Sequence, residues 1–119
     1  MMAVGTQALS ATTIIGDDVV NEYGEDLGKI EDLMIDIERS RVAYAVLSFG
    51  GILGMGEKLF AIPLEALRLD TEDERFVLDI ERERLEAAPG FDKDDWPDPG
   101  DLGYRREVFV FYGHDPYWE

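Results

Sequence analysis

The sequence has no cysteine, few basic residues and no long apolar run. Without cysteine, disulfides, thiolate catalysis and zinc–thiolate sites are excluded, and the composition fits a reducing cytoplasm. No run approaches the ~18 apolar residues of a transmembrane helix. Residues 1–13 also lack the basic and apolar regions of a signal peptide. We therefore expect a cytoplasmic protein without membrane insertion.

Basic residues are outnumbered: 11 Lys and Arg stand against 27 Asp and Glu, which gives a formal net charge of -16. Nucleic-acid binding needs clustered Lys and Arg to neutralise phosphates, and anionic membrane surfaces attract the same residues. We therefore expect neither a nucleic acid nor an anionic membrane as a partner. The ordinary consequence of such acidity is solubility and self-repulsion.

The 119 residues favour one domain, and their pattern predicts short β-strands separated by glycines. In residues 27–38, Leu33, Ile35 and Ile37 occupy alternate positions, with Met34, Asp36 and Glu38 between and after them, as in a half-buried strand. A bulge near Glu31 and Asp32 would return Ile30 to the inner face. Residues 41–49 are apolar on both parities, which predicts cover on both faces by a tail or another subunit. Further strands are predicted at 58–64 and 75–80, and helical turns at 81–88.

The composition changes after Phe91, where an acidic, proline-rich stretch leads into an aromatic one. Residues 104–112 are rich in aromatic and β-branched residues and predict a strand. If exposed, this segment would be an aggregation hazard, so it either packs back onto its own barrel or augments a neighbouring subunit's sheet. Both alternatives remain open. The partner-binding candidates here are Phe109, Phe111, Tyr112, Tyr117 and Trp118.

Residues 50–57 form a glycine-rich loop that holds four glycines. Its spacing matches neither a P-loop nor a dinucleotide-binding fingerprint, and no helix pattern follows. Ile52, Leu53 and Met55 on this loop are expected to be partly exposed unless a partner covers them. We add these three residues to the partner-binding candidates.

Three groups of residues were weighed as chemical sites. Carboxylates in residues 92–101 are hard-cation ligands, but they fail the EF-hand pattern. Asp32 and Asp36 would share a face only without an intervening bulge, and no nucleophile lies nearby in sequence. His114 beside Asp115 lacks the Ser or Cys nucleophile of a triad and the further ligands of a zinc site. We therefore predict no catalytic residue, metal ligand or cofactor.

A series of turn signals and short strands resembles the PRC-barrel domain family. The matching features, over roughly residues 8 to 91, are Gly16, Val19, Gly24, Leu27–Ile30, Asp32, Leu33, Asp36, Val42–Tyr44, Phe49–Gly51, Gly54, Gly56–Lys58, Ile62, Pro63, Leu67 and Leu85–Phe91. The family also includes the cytoplasmic part of the photosynthetic reaction centre H subunit and the C-terminal domain of a ribosome maturation factor. The resemblance implies a small all-β barrel that acts as a docking module rather than as an enzyme.

Together these inferences predict an all-β fold: a small PRC-like β-barrel with a short helical turn and a C-terminal β extension. The predicted segments are a flexible lead-in at 1–13, the barrel at 14–91 and an acidic and aromatic extension at 92–119. The predicted function is a non-catalytic protein-interaction or scaffold module that forms homo-oligomers and binds a protein partner. The alternative is a sensor that binds a small ligand or a metal through the glycine-rich loop and the acidic tail.

Overall fold

The computed structural model describes residues 8–50 and 57–119. These residues form seven strands and three helices, with one 3-10 turn at Leu64–Ala66 between the fourth and fifth strands. They are α1 (Ala11–Ile14), β1 (Asp18–Val20), β2 (Asp26–Asp36), β3 (Arg41–Gly50), β4 (Glu57–Ile62), β5 (Leu67–Asp70), β6 (Arg75–Leu78), α2 (Arg82–Glu86), β7 (Gly90–Asp92) and α3 (Leu102–Phe111). The strands predicted within residues 27–80 and the helical turns before Pro89 are therefore present.

The strands form one sheet in the order β5-β6-β1-β2-β3-β4-β7. All neighbours are antiparallel except β1 and β6, which are parallel. Side chains from β1, β2, β3, β4, β6 and α2 meet in one inner core, so the sheet curls around it. The all-β prediction is confirmed, although in the described residues the edge strands β5 and β7 are not hydrogen-bonded to each other.

The bend in β2 depends on a bulge and a glycine. The β2–β3 register shifts between Ile30 and Asp32, and Ile30 is buried in the inner core. The predicted bulge is therefore confirmed. Gly28 has φ +123, and a Cβ there would lie 2.0 Å from the Ser48 carbonyl oxygen. Only glycine permits this close approach of β2 to β3.

The far end of β2 differs from the predicted half-buried pattern. Ile35 and Ile37 are exposed, whereas Asp36 between them is 7% exposed. A second register shift between Met34 and Ile35 accompanies this arrangement. Because the C-terminal segment packs on the Asp36 side and supplies hydrogen-bond donors there, the charged residue is buried and the two isoleucines face water. Periodicity alone does not reveal a cover that comes from a distant part of the chain.

Strand β3 is covered on both faces, as its apolar pattern predicted. Ala45 and Leu47 belong to the inner core. On the other face, Tyr44 and Val46 belong to a second cluster with Leu59 and Ala61 of β4 and with Val108 and Phe109 of α3. The cover of the outer face is therefore the chain's own C-terminal segment.

The predicted C-terminal β extension is wrong, because residues 102–111 form helix α3. The Asp101 side chain caps the helix by accepting a hydrogen bond from the Tyr104 N–H at 2.9 Å. Gly113, at φ +77, follows the last turn, and the Gly113 and His114 N–H groups donate to the Val110 and Phe109 carbonyls. This is a Schellman ending. Burial of one helical face outweighs the β-propensity of the aromatic and β-branched residues.

Candidate functional site

A groove with a volume of ≈ 420 Å³ lies between the end of β2 and the start of α3. Three aliphatic side chains in its lining are exposed: Ile35 by 53%, Ile37 by 80% and Leu102 by 41%. The remaining lining residues are Asp36, Glu38, Arg39, Pro99, Gly100 and Arg105. We call this feature the β2–α3 groove. Apolar side chains gathered at one exposed place are typical of interaction sites, because association removes them from water.

Two local structures position these aliphatic side chains. Ile37 occupies the turn that follows β2, which Asp36 stabilises by accepting a hydrogen bond from the Arg39 N–H at 3.1 Å. Leu102 begins α3 directly after the Asp101 cap. On both sides of the groove, a backbone N–H that donates to a carboxylate therefore fixes the backbone next to an aliphatic side chain.

Asp36 forms the polar base of the groove. Its Oδ2 accepts hydrogen bonds from the Tyr117 hydroxyl at 2.5 Å, from Arg39 Nη1 at 3.3 Å and from Arg105 Nη1 at 3.4 Å. Arg105 is itself buried, and its Nη2 donates to the Pro99 carbonyl at 3.1 Å. The carboxylate thus ties β2 to α3, to the loop before α3 and to the C-terminus.

The charge state of Asp36 follows from these donors. The hydrogen bond from Tyr117 lowers the pKa of the Asp36 carboxyl below its ordinary value, aided by the backbone N–H and the guanidinium of Arg39 and opposed by burial. For Tyr117, burial raises the pKa of the hydroxyl, and the bond to Asp36 adds to that shift. The pair is therefore a carboxylate and a neutral phenol at neutral pH. A carboxylate so well supplied with donors is a poor general base.

Aromatic packing fixes the C-terminal residues next to this carboxylate. The Phe109 ring centroid lies 5.7 Å from that of Tyr117 and 5.3 Å from that of Trp118. The Arg41 guanidinium carbon lies 3.7 Å from the Tyr117 ring centroid, a cation–π contact. These contacts hold the C-terminal residues next to Asp36.

The partner-binding candidates predicted from the sequence fall into two groups. Ile52, Leu53 and Met55 lie outside the described residues. The aromatic candidates pack within the chain: Phe109 has no exposed surface, and Phe111, Tyr112, Tyr117 and Trp118 are half-buried. Of the two alternatives for this segment, the structure shows packing on its own sheet, as a helix rather than as a strand. A partner contact by the half-buried aromatic residues stays a prediction.

Sequence reasoning missed Ile35, Ile37 and Leu102 as candidate interaction residues. The period-2 pattern predicts Ile35 and Ile37 on the buried face of a strand, and Leu102 lies in an acidic stretch between glycines. One usable signal was Asp101, which is an N-cap residue type. Another was the spacing of Arg105, Val108, Phe109 and Tyr112, which follows the i, i+3, i+4, i+7 pattern of a helix face.

A second groove of ≈ 560 Å³ lies beside α2 and the end of α3. The Arg84 guanidinium carbon is 4.5 Å from the Phe111 ring centroid, so the cation–π position on that ring is already filled. Burial raises the pKa of the Tyr112 hydroxyl, which has no hydrogen-bond partner within the described residues. The lining is completed by Tyr23, Asp79, Ile80, Glu81 and Gly113. This groove is larger, but it presents fewer free aliphatic side chains than the β2–α3 groove.

The acidic residues of the extension do not converge on one point. Asp101 caps α3, and Asp92 pairs with Lys58 in the β4–β7 ladder. In the part of the chain that the structure describes, no three Asp, Glu or His side chains are placed to hold a metal ion. Most of the glycine-rich loop, residues 51–56, lies outside that part, so the alternative of a sensor gains no geometric support.

The domain model of the PRC-barrel family matches residues 7–85. The chain belongs to the PRC-barrel domain family. The match stops before β7 and α3, so the segment that covers the outer face of this PRC barrel lies beyond the family's matched region. No helix in residues 8–50 or 57–119 has the length and apolar character needed to span a membrane.

The chain is also similar to a solved structure. It is a Pseudomonas aeruginosa protein described as a 16S ribosomal RNA processing protein, RimM. The TM-score is 0.44 and the sequence identity is 14%, over 69% of this chain and 50% of that chain. This chain therefore corresponds to about half of that protein's length. The comparison with curated proteins gives no match.

Proposed function

We propose that this PRC-barrel protein is a non-catalytic protein-interaction module that docks a partner in the β2–α3 groove. The observation that carries the proposal is the set of three exposed aliphatic side chains, Ile35, Ile37 and Leu102, in one groove. Association would remove this apolar surface from water, at roughly 25 cal/mol per Å². The hydrogen-bonded turn after β2 and the capped start of α3 hold the groove in shape, so binding costs little ordering of the chain.

The polar groups at the groove support binding rather than catalysis. Asp36 and Arg105 are the buried polar residues of its lining, and each is already engaged by the other and by further partners. An acid or base catalyst needs a pKa near the operating pH, whereas the pKa of Asp36 is lowered. These groups therefore act as a fixed support beneath the aliphatic side chains.

Self-association remains a prediction with a weaker physical basis than the sequence suggested. The sequence predicts homo-oligomerisation through an aromatic strand that augments a neighbouring subunit's sheet. That segment is a helix packed on its own sheet, and each copy carries a formal net charge of -16. Light scattering on the full chain tests the oligomeric state directly. We keep the cytoplasm as the proposed compartment, because the absence of cysteine fits reducing conditions.

The proposed docking site is tested by comparing two surface variants in a pull-down with chemical crosslinking. Ile37→Ser removes the most exposed apolar side chain of the groove. Val110→Ser removes a side chain that is 59% exposed on α3 and outside the groove lining. We expect Ile37→Ser to lose the proteins captured from an extract of the source cells and Val110→Ser to retain them. Equal capture by both variants would contradict docking in this groove.

A further inference from the structure

The surroundings of the β2–α3 groove carry several exposed carboxylates. Glu38 lines the groove with its side chain 89% exposed. The segment between β7 and α3, residues 93–101, provides the wall at Pro99 and Gly100. This acidic loop carries four exposed aspartates against one lysine; the aspartates are Asp94, Asp95, Asp98 and Asp101.

The basic groups of the groove are already engaged by carboxylates. Arg39 pairs with Asp36 at 3.3 Å and approaches Glu38 at 4.0 Å. Arg105 pairs with Asp36 at 3.4 Å and donates to the Pro99 carbonyl. Asp36 and Glu38 balance the charge of these two guanidinium groups. The excess negative charge beside the groove therefore comes from the acidic loop, and it has the sign of the whole chain.

The acidic loop is held against the sheet by its own packing. The Trp96 ring centroid lies 5.1 Å from that of Phe91 in β7, and the Trp96 Nε1–H donates to the Lys93 carbonyl at 2.7 Å. The Asp101 side chain is tied to the start of α3. Asp98 and Asp101, which flank the wall residues Pro99 and Gly100, are therefore held next to the groove by an ordered backbone.

We propose that the β2–α3 groove binds a basic amphipathic segment of a partner protein. Its apolar side chains pack on Ile35, Ile37 and Leu102, and its Lys or Arg side chains face Glu38 and the acidic loop. This inference rests on the proposed function and adds the chemistry of the partner. Charge favours a basic partner over a second copy of this chain. A second copy carries a formal net charge of -16 and is repelled, whereas a basic segment is attracted and steered to the groove.

The test uses a synthetic peptide of leucine and lysine, about 14 residues long, with leucines at i, i+3, i+4 and i+7 to give one apolar face. A scrambled peptide of the same composition separates amphipathic pattern from charge. A third peptide, with glutamate in place of lysine, tests the sign of the charge. Affinities for the full chain are measured by fluorescence anisotropy at about 0.15 M salt, where exposed charges further apart than about 8 Å are screened.

The decisive comparison is between Ile37→Lys and Val110→Lys. Both variants make the same change of charge on an exposed aliphatic residue, but only Ile37 lines the groove. We expect Ile37→Lys to weaken binding of the amphipathic peptide about tenfold or more and Val110→Lys to change it by less than about twofold. Circular dichroism and thermal unfolding confirm that both variants remain folded.

Each other outcome overturns the inference in a distinct way. Equal weakening by both lysine variants means non-specific attraction to an acidic protein. If the scrambled peptide binds equally well, the apolar face of the peptide has no role. If the glutamate peptide binds tightly, the partner is acidic rather than basic. A dimer in light scattering that Ile37→Lys dissociates makes a second copy the occupant. If no peptide binds while Ile37→Ser still loses its captured proteins, the proposed function stands and the basic partner does not.

Discussion

Asp36 shows how a single residue can link distant parts of the chain. It ends β2, yet its carboxylate accepts hydrogen bonds from residues 69 and 81 positions away, Arg105 and Tyr117. A buried carboxylate is costly unless it is paired and hydrogen-bonded. Here two of the donors, Arg105 and Tyr117, come from the C-terminal segment, so burial of Asp36 and docking of that segment depend on each other.

Replacement of Tyr117 by Phe tests this coupling. The variant loses the hydroxyl that most lowers the Asp36 pKa, so we expect the pKa of Asp36 to rise towards its ordinary value. Because the pKa of Asp36 is lower in the folded protein, its stabilising effect is present above about pH 4. That effect is lost as the pH falls through the folded-state pKa. The variant should therefore be less stable than the wild type at neutral pH, with a smaller difference at lower pH.

Carboxyl NMR titration of Asp36 and urea unfolding at neutral and acidic pH measure both effects. Tyr104→Phe is the matched control, since the Tyr104 hydroxyl donates to the Pro89 carbonyl at 3.4 Å rather than to Asp36. An Asp36 pKa that is the same in Tyr117→Phe and in the wild type would show that this hydrogen bond does not set the charge state of the carboxyl.

At the scale of elements, α3 completes the outer side of the sheet. Val108 and Phe109 pack against Tyr44 and Val46 of β3 and against Leu59 of β4. Without this helix, the outer faces of β3 and β4 would expose apolar side chains to water. The helix is therefore part of the folded unit, although it lies beyond residues 7–85 of the family match.

Truncation of Phe109 measures the contribution of this helix. Phe109 has no exposed surface, so Phe109→Ala should lower the free energy of unfolding by about 3–5 kcal/mol, as for other large aromatic residues in cores. Val110→Ala, at the adjacent exposed position, should change it by at most about 0.5 kcal/mol. Chemical denaturation followed by circular dichroism provides both values. Similar values for the two variants would mean that α3 does not bury Phe109 in solution.

The same elements show how far the sequence could predict this fold. The strands and the Ile30 bulge were predictable, because period-2 alternation and its break are local features of the sequence. Helix α3 was not predicted, because Val, Phe and Tyr favour strands unless one face is buried against another element. Its N-cap and C-terminal glycine were the local signals that pointed to a helix. The prediction that Ile35 and Ile37 are buried is wrong, because Arg105 and Tyr117 cover Asp36 between them. These two residues lie 69 and 81 positions further along the chain.

At the scale of the whole molecule, net charge opposes compaction. The excess of 27 acidic over 11 basic residues brings like charges together on folding. Exposed ion pairs offset little of this repulsion. Lys29 and Asp18, for example, lie 2.8 Å apart, but both side chains are largely exposed to solvent. Pairs of this kind typically contribute about 0–1 kcal/mol. We therefore expect long-range repulsion to outweigh short-range attraction among the exposed charges of this protein.

Salt should accordingly stabilise the protein at neutral pH. Raising NaCl shortens the Debye length from about 30 Å at 0.01 M to about 3 Å at 1 M, which screens the net repulsion more than it weakens a few close pairs. We expect Tm to rise with NaCl at pH 7 and to respond much less near the isoelectric point of ≈ 4.2, where the net charge is small. Scanning calorimetry measures Tm at increasing NaCl concentrations, once at pH 7 and once near the isoelectric point. A fall in Tm with NaCl at pH 7 would instead show that close ion pairs, rather than the excess of carboxylates, dominate the electrostatic free energy of the fold.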